Sequence, residues 1–493
     1  MVVLSRDSLR ANFKKHRIFI VVLLLASILW TWVFVHAAID FLTSTRWPRA
    51  VWNGFGSIDL FGFSIRFAFE GWADHDYFYH SWANQFLSGL VPYTPRFDLL
   101  IRNEIYYNVP YFFPPFFVYL CVIGKLLQTD LGIGFIISLF GFLTAFPIYG
   151  ISVYLSGNRH VGAIAAGTYL FNPITLYHTA FEWLNPAPFV FFSVLSFYLL
   201  MHNRRILGAL AMTTSALFKQ TAFFFALPLL AFLLKRAPQP ISEDGFDSSE
   251  GEEAKKPDGD RLDLRGFMRI VLVVCAYAAV SSMPYLLDPL NYVRAIFSTA
   301  GGTYLTDLTS PPPIYYPITL VVLFIILGFP EWLLEPINLF TYYSVGLFIA
   351  IIPILVFMLK EVKDDRNLQA YWRRMLFLTL LLMLCVHIFS PRGIYKYYTV
   401  ALVPFFSILS TSSMCQRSSE RVSVSLPMLL VPMICGFAIM VPPRTVYMLY
   451  LLLILAGYIL HRSFSQTYEI LAEPARQLGR RMIAFARQRP VTQ

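Results

Sequence analysis

The sequence predicts an all-α polytopic bundle of about 11–13 transmembrane helices, with further helices lying outside the membrane. Hydrophobic residues make up 57% of the chain and charged residues only 14%. A soluble globular domain carries about 25% charged residues. Apolar windows of about 17–25 residues, the length that crosses a bilayer as a helix, recur along nearly the whole chain. Both observations are typical of a multi-pass membrane protein.

The first apolar run, residues 18–38, is longer than the hydrophobic region of a secretory signal, so we interpret it as an uncleaved helix. Basic residues precede it: Arg6, Arg10, Lys14, Lys15 and Arg17. Lys and Arg are enriched in cytoplasmic loops. The N-terminus is therefore predicted to be cytoplasmic, and Asp40 and the residues after it are predicted to lie outside.

Later basic loops orient the other segments, and they place the C-terminus in the cytoplasm too. The predicted spans are residues 18–38, 131–155, 161–178, 187–202, 205–218, 220–235, 267–287, 338–360, 375–389, 397–412, 424–441 and 444–461. Segment 315–333 is apolar enough to cross, but a full crossing would turn the charged stretch 360–374 outward. We expect this segment to be external, re-entrant or half of a hairpin. The membrane is predicted to be the cell membrane or the endoplasmic reticulum membrane.

Four regions follow from this topology. The N-terminal transmembrane half has a large external catalytic loop, and the C-terminal half ends in a basic cytoplasmic tail. Between the halves lies an acidic linker with eight acids between residues 241 and 260; with almost no apolar residues, it is predicted to be disordered and cytoplasmic. The regions are residues 1–237 with the loop 39–130, the linker 238–263, the half 264–463 and the tail 464–493.

Several function classes lack support. The five cysteines are scattered and suggest neither a disulfide framework nor a metal site. No Walker loop, GxGxxG or HExxH motif is present. The formal charge of +10 lies mostly in short loops, where it reports membrane orientation and not nucleic-acid binding. We expect no nucleic-acid partner and no cofactor, although a divalent metal ion remains an open alternative.

Asp74-His75-Asp76 is the most informative motif. The two carboxylates lie in the external loop, where a carboxylate can take a proton from a hydroxyl or hold a cation. Asp74 and Asp76 are the candidate catalytic residues, and Tyr77 is a candidate substrate contact. A short interfacial helix is predicted after the motif, ended by Gly89 and Pro92. The alternative is a solvated loop with two ordinary acids.

Polar residues at three other outer turns complete the candidate site. Lys219, Arg392 and Lys396 are candidates for binding a donor phosphate. Each residue has a structural alternative: Lys219 could snorkel to lipid headgroups, Arg392 and Lys396 could anchor a helix end, and Glu182 and Asn185 could cap a helix. The candidate substrate contacts on these turns are Glu182, Asn185, Gln220 and Tyr395. Acids and cations on one face suit a transferase whose donor is a sugar on a lipid phosphate.

The chain resembles the GT-C superfamily of membrane glycosyltransferases, which includes polyprenyl-phosphate-mannose-dependent mannosyltransferases. The resemblance rests on the acidic motif after one helix, the pattern from Asp76 to Tyr93, the prolines Pro114-Pro115, Asn172-Pro173, and Lys219 before an apolar helix. The resemblance is clear over about residues 1–235 and weaker in the rest of the chain. It implies that Asp74 or Asp76 is the base or orients the acceptor, that Lys219 contacts the donor phosphate, and that the donor anomer is inverted.

The leading prediction is a hexosyltransferase of GT-C type, with mannose as the preferred sugar. It would use a polyprenyl-phosphate sugar donor and a lipid-linked or surface glycan or glycolipid acceptor, with membrane lipids around it. One alternative is a flippase for polyprenyl-linked sugars, although transporters place ionisable residues near the bilayer midplane. Another is a structural subunit of a larger membrane complex, which fits the acidic linker but leaves the outer clustering of acids and cations unexplained.

Overall fold

The computed structural model describes most of the chain outside the predicted linker and tail. The described residues are 6–44, 47, 57–60, 63–66, 72, 74–127, 130–235, 262–286, 288–298, 304–312, 317–361, 363, 368–412 and 444–460. Most of the predicted linker, the predicted span 424–441 and the predicted tail 464–493 lie outside these residues. The described part confirms an all-α polytopic helical bundle.

The chain begins with one long helix, and a region of mixed structure follows, which the sequence predicted to lie outside the membrane. Helix α1 (Arg6–Thr43) is longer than the predicted span. Next come the antiparallel strands β1 (Ser57–Leu60) and β2 (Phe63–Arg66), a π-helical turn (His75–Tyr79), helix α2 (His80–Leu87), the antiparallel strands β3 (Leu99–Arg102) and β4 (Ile105–Asn108), and helix α3 (Pro115–Leu126). The two hairpins were not predicted.

Helix α2 agrees with the predicted interfacial helix. It ends at Leu87, and Gly89 follows with a φ of +84°, a left-handed conformation that glycine adopts without steric cost. Helix α3 starts at Pro115, where the fixed φ of proline suits a first helical position.

Short helices form the rest of the N-terminal bundle. They are α4 (Gly132–Leu143), α5 (Ala145–Ser156), α6 (Arg159–Leu170), the short turn α7 (Pro173–Thr175), α8 (Pro186–Met201), α9 (Arg205–Phe218) and α10 (Ala222–Leu233). Side-chain caps define two of the starts. The Asn158 side chain accepts from the His160 N–H before α6, and that of Asn172 accepts from the Ile174 N–H before α7. A second π-helical turn (Leu176–Phe181) follows α7.

The C-terminal half is built around one buried helix. Its described elements are α11 (Leu264–Ser281), α12 (Pro289–Ser298), α13 (Leu320–Ile326), α14 (Glu331–Tyr342), α15 (Val345–Lys360), α16 (Leu368–Ile388), a 3-10 turn (Lys396–Ala401), α17 (Val403–Ser412) and α18 (Arg444–Leu460). Helix α16 packs against α10, α15, α17 and α18. It therefore fixes the turn that follows it, residues 390–398, against the N-terminal bundle.

Four described helical segments are long and apolar enough to cross a membrane: Lys15–Thr43, Gly132–Ser156, Leu264–Ser281 and Leu368–Ile388. The pair α14 and α15, bent by 54°, would make a fifth. The chain is a multi-pass membrane protein. Other predicted spans correspond to apolar helices of 10–17 residues, so the total of 11–13 stays a prediction. In segment 315–333 the described helix, α13, has seven residues, or about 10 Å, and cannot cross a bilayer by itself.

Candidate functional site

Lys219 lies in the break between α9 and α10 and is only 5% exposed. Its Nζ donates a 2.6 Å hydrogen bond to Oδ1 of Asn185, the residue before α8. Four aromatic rings surround the ammonium, with Nζ-to-centroid distances of 4.3 Å for Tyr398, 5.3 Å for Tyr397, 5.6 Å for Phe189 and 5.8 Å for Phe113. A cation interacts favourably with ring faces at these distances. Lys219 therefore does not snorkel to lipid headgroups but lies in an aromatic enclosure.

Three features of the surroundings shift the pKa of the Lys219 amine. Burial lowers the pKa of its amine from 10.5 to about 7, because a low-dielectric environment disfavours the ammonium form. The Asp74 carboxylate opposes this shift and raises the amine pKa, whereas the Arg392 guanidinium lowers it further. An anion bound beside Lys219 would favour the charged form of the amine and raise its pKa.

The two acids of the Asp-His-Asp motif lie in different surroundings. Asp74 precedes the first π-helical turn, is partly buried, and acts electrostatically on Lys219. Asp76 acts on His80, whose Nε2 lies 3.1 Å from the Asp130 carbonyl oxygen. The structure therefore brings Asp74 to the lysine site and places Asp76 beside His80.

The middle residue of the motif, His75, and the residue after the motif, Tyr77, make contacts with neighbouring aromatic rings and backbone. The Tyr77 hydroxyl donates to the Asn108 carbonyl at 3.2 Å, and its ring lies 5.5 Å from that of Trp47. His75 is fully buried among the rings of Phe41, His80 and Trp183. Among the residues that the structure describes, no group of three or more His, Cys, Asp or Glu side chains could hold a metal ion.

Asn185 and Glu182 do not cap α8 with their side chains. Asn185 accepts from Lys219, and its Nδ2 donates to the Tyr79 hydroxyl at 3.3 Å. Glu182 is 1% exposed; it accepts from the Tyr177 hydroxyl at 2.7 Å through Oε1, and its Oε2 lies 2.6 Å from His178 Nδ1. Both residues thus link the turn between α7 and α8 to polar side chains around the lysine.

His178, which the sequence-based interpretation took as a structural histidine and left out of the candidate site, presents a buried polar atom. Its Nδ1 is held by Glu182, whereas its Nε2 is buried with no hydrogen-bond partner. The ring centroid lies 6.3 Å from that of Tyr397. With Nδ1–H donating to the carboxylate, Nε2 is an acceptor in the neutral ring and a donor in the protonated ring. The His-x-x-x-Glu spacing, which pairs residues four apart on a helix, was the available signal.

The turn after α16 supplies the other side of the site. Arg392 is exposed, and its guanidinium carbon lies 5.6 Å from the Phe112 ring centroid. Ile394 and Ile318 exchange two backbone hydrogen bonds of 2.9 and 3.0 Å. This bridge holds the turn in place just before the 3-10 turn that carries Tyr397 and Tyr398.

The remaining predicted contacts lie around the same turn. Gln220 Nε2 donates to the Phe112 carbonyl oxygen, which ties the start of α10 to the segment before α3. The Tyr395 ring stacks on Tyr397 with centroids 5.6 Å apart, and Lys396 is partly exposed at the start of the 3-10 turn. Gln220 and Tyr395 thus support the walls of the enclosure.

The predicted residues that meet are therefore Asp74, Asn185 and Lys219, with Arg392 at the rim and the His178–Glu182 pair beside them. The site holds two cations, Lys219 and Arg392, and two carboxylates, Asp74 and Glu182, so an anionic ligand would have to contact the two cations. His178 is paired with a carboxylate and not with a serine or cysteine. Its Nδ1 is thus held by a carboxylate, and its Nε2 is left to hydrogen-bond a ligand.

One protein family matches this chain. Its sequence profile covers residues 98–311, which is less than half of the 493 residues. The family is the GPI transamidase subunit PIG-U. The matched segment includes Glu182, Asn185 and Lys219 and excludes Asp74 and Arg392. No curated protein matches the sequence.

The PIG-U match corrects the predicted function. The prediction of a mannosyltransferase using a polyprenyl-phosphate sugar is wrong, and so is the flippase alternative, because PIG-U is a subunit of a protein-processing complex. The predicted resemblance is confirmed only in part. The chain is similar to a family of multi-pass membrane proteins related to the GT-C-like group. Similar folds carry different activities, so the acidic motif and the lysine were compatible with a function other than sugar transfer.

Proposed function

We propose that this chain is a PIG-U-type subunit of a GPI transamidase in the endoplasmic reticulum membrane. The match of residues 98–311 to that family carries the proposal. Those residues run from β3 through α12 and include the turn before α8 and the break after α9. The structural-subunit alternative from the sequence is the one that agrees with this assignment.

A transamidase of this kind has two substrates. One is a precursor protein whose C-terminal signal has small residues at the attachment site, a polar spacer and a hydrophobic tail that is removed. The other is glycosylphosphatidylinositol, a glycolipid that contains phosphate. A membrane subunit can therefore contribute by holding a lipid-borne phosphate near the membrane surface.

The chemistry around Lys219 suits that second substrate. Lys219 and Arg392 supply positive charge, and His178 Nε2 is a buried polar atom with no hydrogen-bond partner. Phe112, Phe113 and Tyr397 offer apolar and aromatic surface beside these groups. We infer that this site binds a phosphate of the glycolipid and that the bond-making residues belong to another subunit.

Asp74 has a different role in this proposal. Its carboxylate favours the ammonium form of Lys219, so it keeps a fraction of the lysine charged before the ligand arrives. Asp74 would also repel a phosphate at very short range. Asp74 is thus a positioning residue and not the base that the sequence suggested.

The decisive experiment depletes the protein in the cells that normally express it. The readout is the surface level of a reporter bearing a GPI-attachment signal, and the control is the same reporter with a transmembrane anchor. We expect surface display of the GPI reporter to fall to background while the control stays constant and uncleaved precursor accumulates. Normal display of the GPI reporter in the depleted cells would overturn the proposal.

Complementation then tests the site itself. Lys219→Arg keeps a positive charge, whereas Lys219→Met keeps an unbranched chain without charge. We expect Lys219→Arg to restore part of the reporter display and Lys219→Met to restore much less at equal protein level. Equal rescue by both variants would show that the subunit assignment can stand without the phosphate site.

A further inference from the structure

An apolar groove lies at the opposite end of α8 from Asn185. It has a volume of about 740 Å³ and lies between α1, α5 and α8. Its body is lined by Phe19, Phe146, Phe191 and Leu195. Along α8 the lining runs from Phe191 to His202, whereas Asn185 precedes the helix, so the His202 end of the groove lies about 25 Å along the helix axis from Asn185.

The position of the groove indicates what kind of molecule can enter it. Two of its walls, α1 and α5, belong to segments that are long and apolar enough to span the membrane. The outer face of α1 exposes Leu24, Leu25 and Ile28, as a lipid-facing helix does. At that depth the surrounding solvent is hydrocarbon and not water. The occupant best matched to such a lining is an acyl chain.

The rim of the groove is polar and basic. His16 Nδ1 lies 2.7 Å from the Tyr149 hydroxyl, and both residues line the groove. Lys15 and Arg159 are exposed and close enough to act electrostatically on His16. At the far side of the rim, the His202 ring lies 4.4 Å from that of Tyr198. An anionic headgroup would therefore meet cations and imidazole nitrogens at the end of its acyl chain.

No carboxylate opposes this charge along the neighbouring chain. Residues 8–39, 131–181 and 183–242 contain no Asp or Glu, and these ranges include the groove-lining parts of α1, α5 and α8. A further guanidinium comes from α16, since Arg373 Nη2 donates to the Leu155 carbonyl at the end of α5. The chain segments that carry His16, Arg159 and His202 therefore bring no acidic side chain to this end of the groove.

We propose that this groove binds an acyl chain of an anionic phospholipid whose phosphate lies at the rim formed by His16, Arg159 and His202. Basic pockets between transmembrane helices bind anionic headgroups in this way. The acyl chain supplies apolar burial, and the rim selects the headgroup. This site is independent of the transamidase assignment.

The test uses the full-length protein purified in detergent and stripped of lipid. A phosphatidylserine with a photoreactive diazirine in its acyl chain is compared with the matching phosphatidylcholine. Native mass spectrometry measures retention, and peptide mapping locates the crosslink. We expect stronger retention of phosphatidylserine, with crosslinks on α1, α5 or α8.

Charge-reversal variants separate the rim from general surface charge. Arg159→Glu places an acid at the first turn of α6, where the helix dipole favours it, so the fold should persist. Because each basic residue near a headgroup is worth about 1 kcal/mol, a factor of about five, reversal should weaken phosphatidylserine retention by about 5- to 25-fold. Arg269→Glu, at an exposed position of α11, is the matched control and should change retention less than twofold.

A groove-filling variant tests the acyl-chain part. Val153→Trp enlarges a partly exposed lining residue and should reduce retention and crosslinking of both lipids. Equal retention of the two headgroups, equal effects of Arg159→Glu and Arg269→Glu, or crosslinks confined to other helices would each overturn the proposal.

Discussion

Lys219 Nζ and Asn185 Oδ1 are joined by a 2.6 Å hydrogen bond that ties the end of α9 to the start of α8. Asn185 also donates to the Tyr79 hydroxyl. This single amide therefore connects the π-helical turn that carries Tyr79 to helices α8 and α9.

Asn185→Ala should destabilise the protein. It leaves the buried Lys219 amine without its acceptor, which costs about 1–3 kcal/mol. The effect is measured by thermal unfolding of the detergent-purified protein, which is monitored as the loss of the monodisperse peak. Asn185→Asp is the control: it keeps an acceptor, supplies a charge partner and should melt closer to wild type. An Asn185→Ala protein that melts at the wild-type temperature would contradict this.

Anion binding at the Lys219 site should weaken as pH rises through about 7. The ammonium form binds the anion, and burial puts the pKa of the amine at about 7. Its protonated fraction falls from about nine-tenths at pH 6 to about one-tenth at pH 8, so affinity should fall about tenfold. Glycerophosphoinositol, a diester whose charge is constant over this range, is a suitable ligand for calorimetry.

The control for the pH series is Lys219→Arg. Its guanidinium stays charged at both pH values, so its affinity should vary little between pH 6 and pH 8. If wild type binds the diester equally at the two pH values, Lys219 is not the titrating group that controls binding.

Glu182→Ala should lower both stability and rescue of the GPI reporter. The change leaves His178 Nδ1 and the Tyr177 hydroxyl without their buried acceptor, at a cost of about 1–3 kcal/mol. It also frees the His178 ring to turn, so Nε2 is no longer aimed by the carboxylate. Glu331→Ala, at an exposed acid at the start of α14, is the control. Full rescue by Glu182→Ala would show that His178 is not part of the site.

Gly393→Ala should disturb the turn that carries the tyrosines. Gly393 has a φ of +81°, and an added Cβ would lie 2.9 Å from Pro317 Cβ and 3.0 Å from the Ile318 carbonyl oxygen. Gly157→Ala is the matched control, because it has a φ of +70° with nothing within 4 Å. Both carry the backbone strain of about 1 kcal/mol. The excess loss of thermal stability in Gly393→Ala over Gly157→Ala measures the contact with residues 317–318.

The hydrophobic pattern of the sequence was sufficient to predict most of the helical fold. The predicted span 205–218 coincides with α9, because an apolar run ends there at the polar pair Lys219-Gln220. In the structure, proline or asparagine residues stand at the starts of α3, α6 and α7. The β1–β2 and β3–β4 hairpins were missed, since four-residue strands are too short to set a period of two.

The site was only partly predictable for a geometric reason. Both of its acidic turns run through π-helical segments, His75–Tyr79 and Leu176–Phe181, where hydrogen bonds shift to the i→i+5 pattern. That shift rotates neighbouring side chains relative to an α-helix, so sequence spacing did not reveal that Asp74 approaches Lys219 while Asp76 approaches His80. The activity was mispredicted because charged groups and aromatic rings in one place do not specify which reaction a protein takes part in.

The two hydrogen bonds between Ile318 and Ile394 have a mechanical consequence. They couple the segment leading into α13 to the turn that carries Arg392, Tyr397 and Tyr398. Any displacement of residue 318 must either break both bonds or carry Ile394 with it. A force that displaces α13 is therefore transmitted through this bridge to Arg392, Tyr397 and Tyr398, and so to the lysine enclosure.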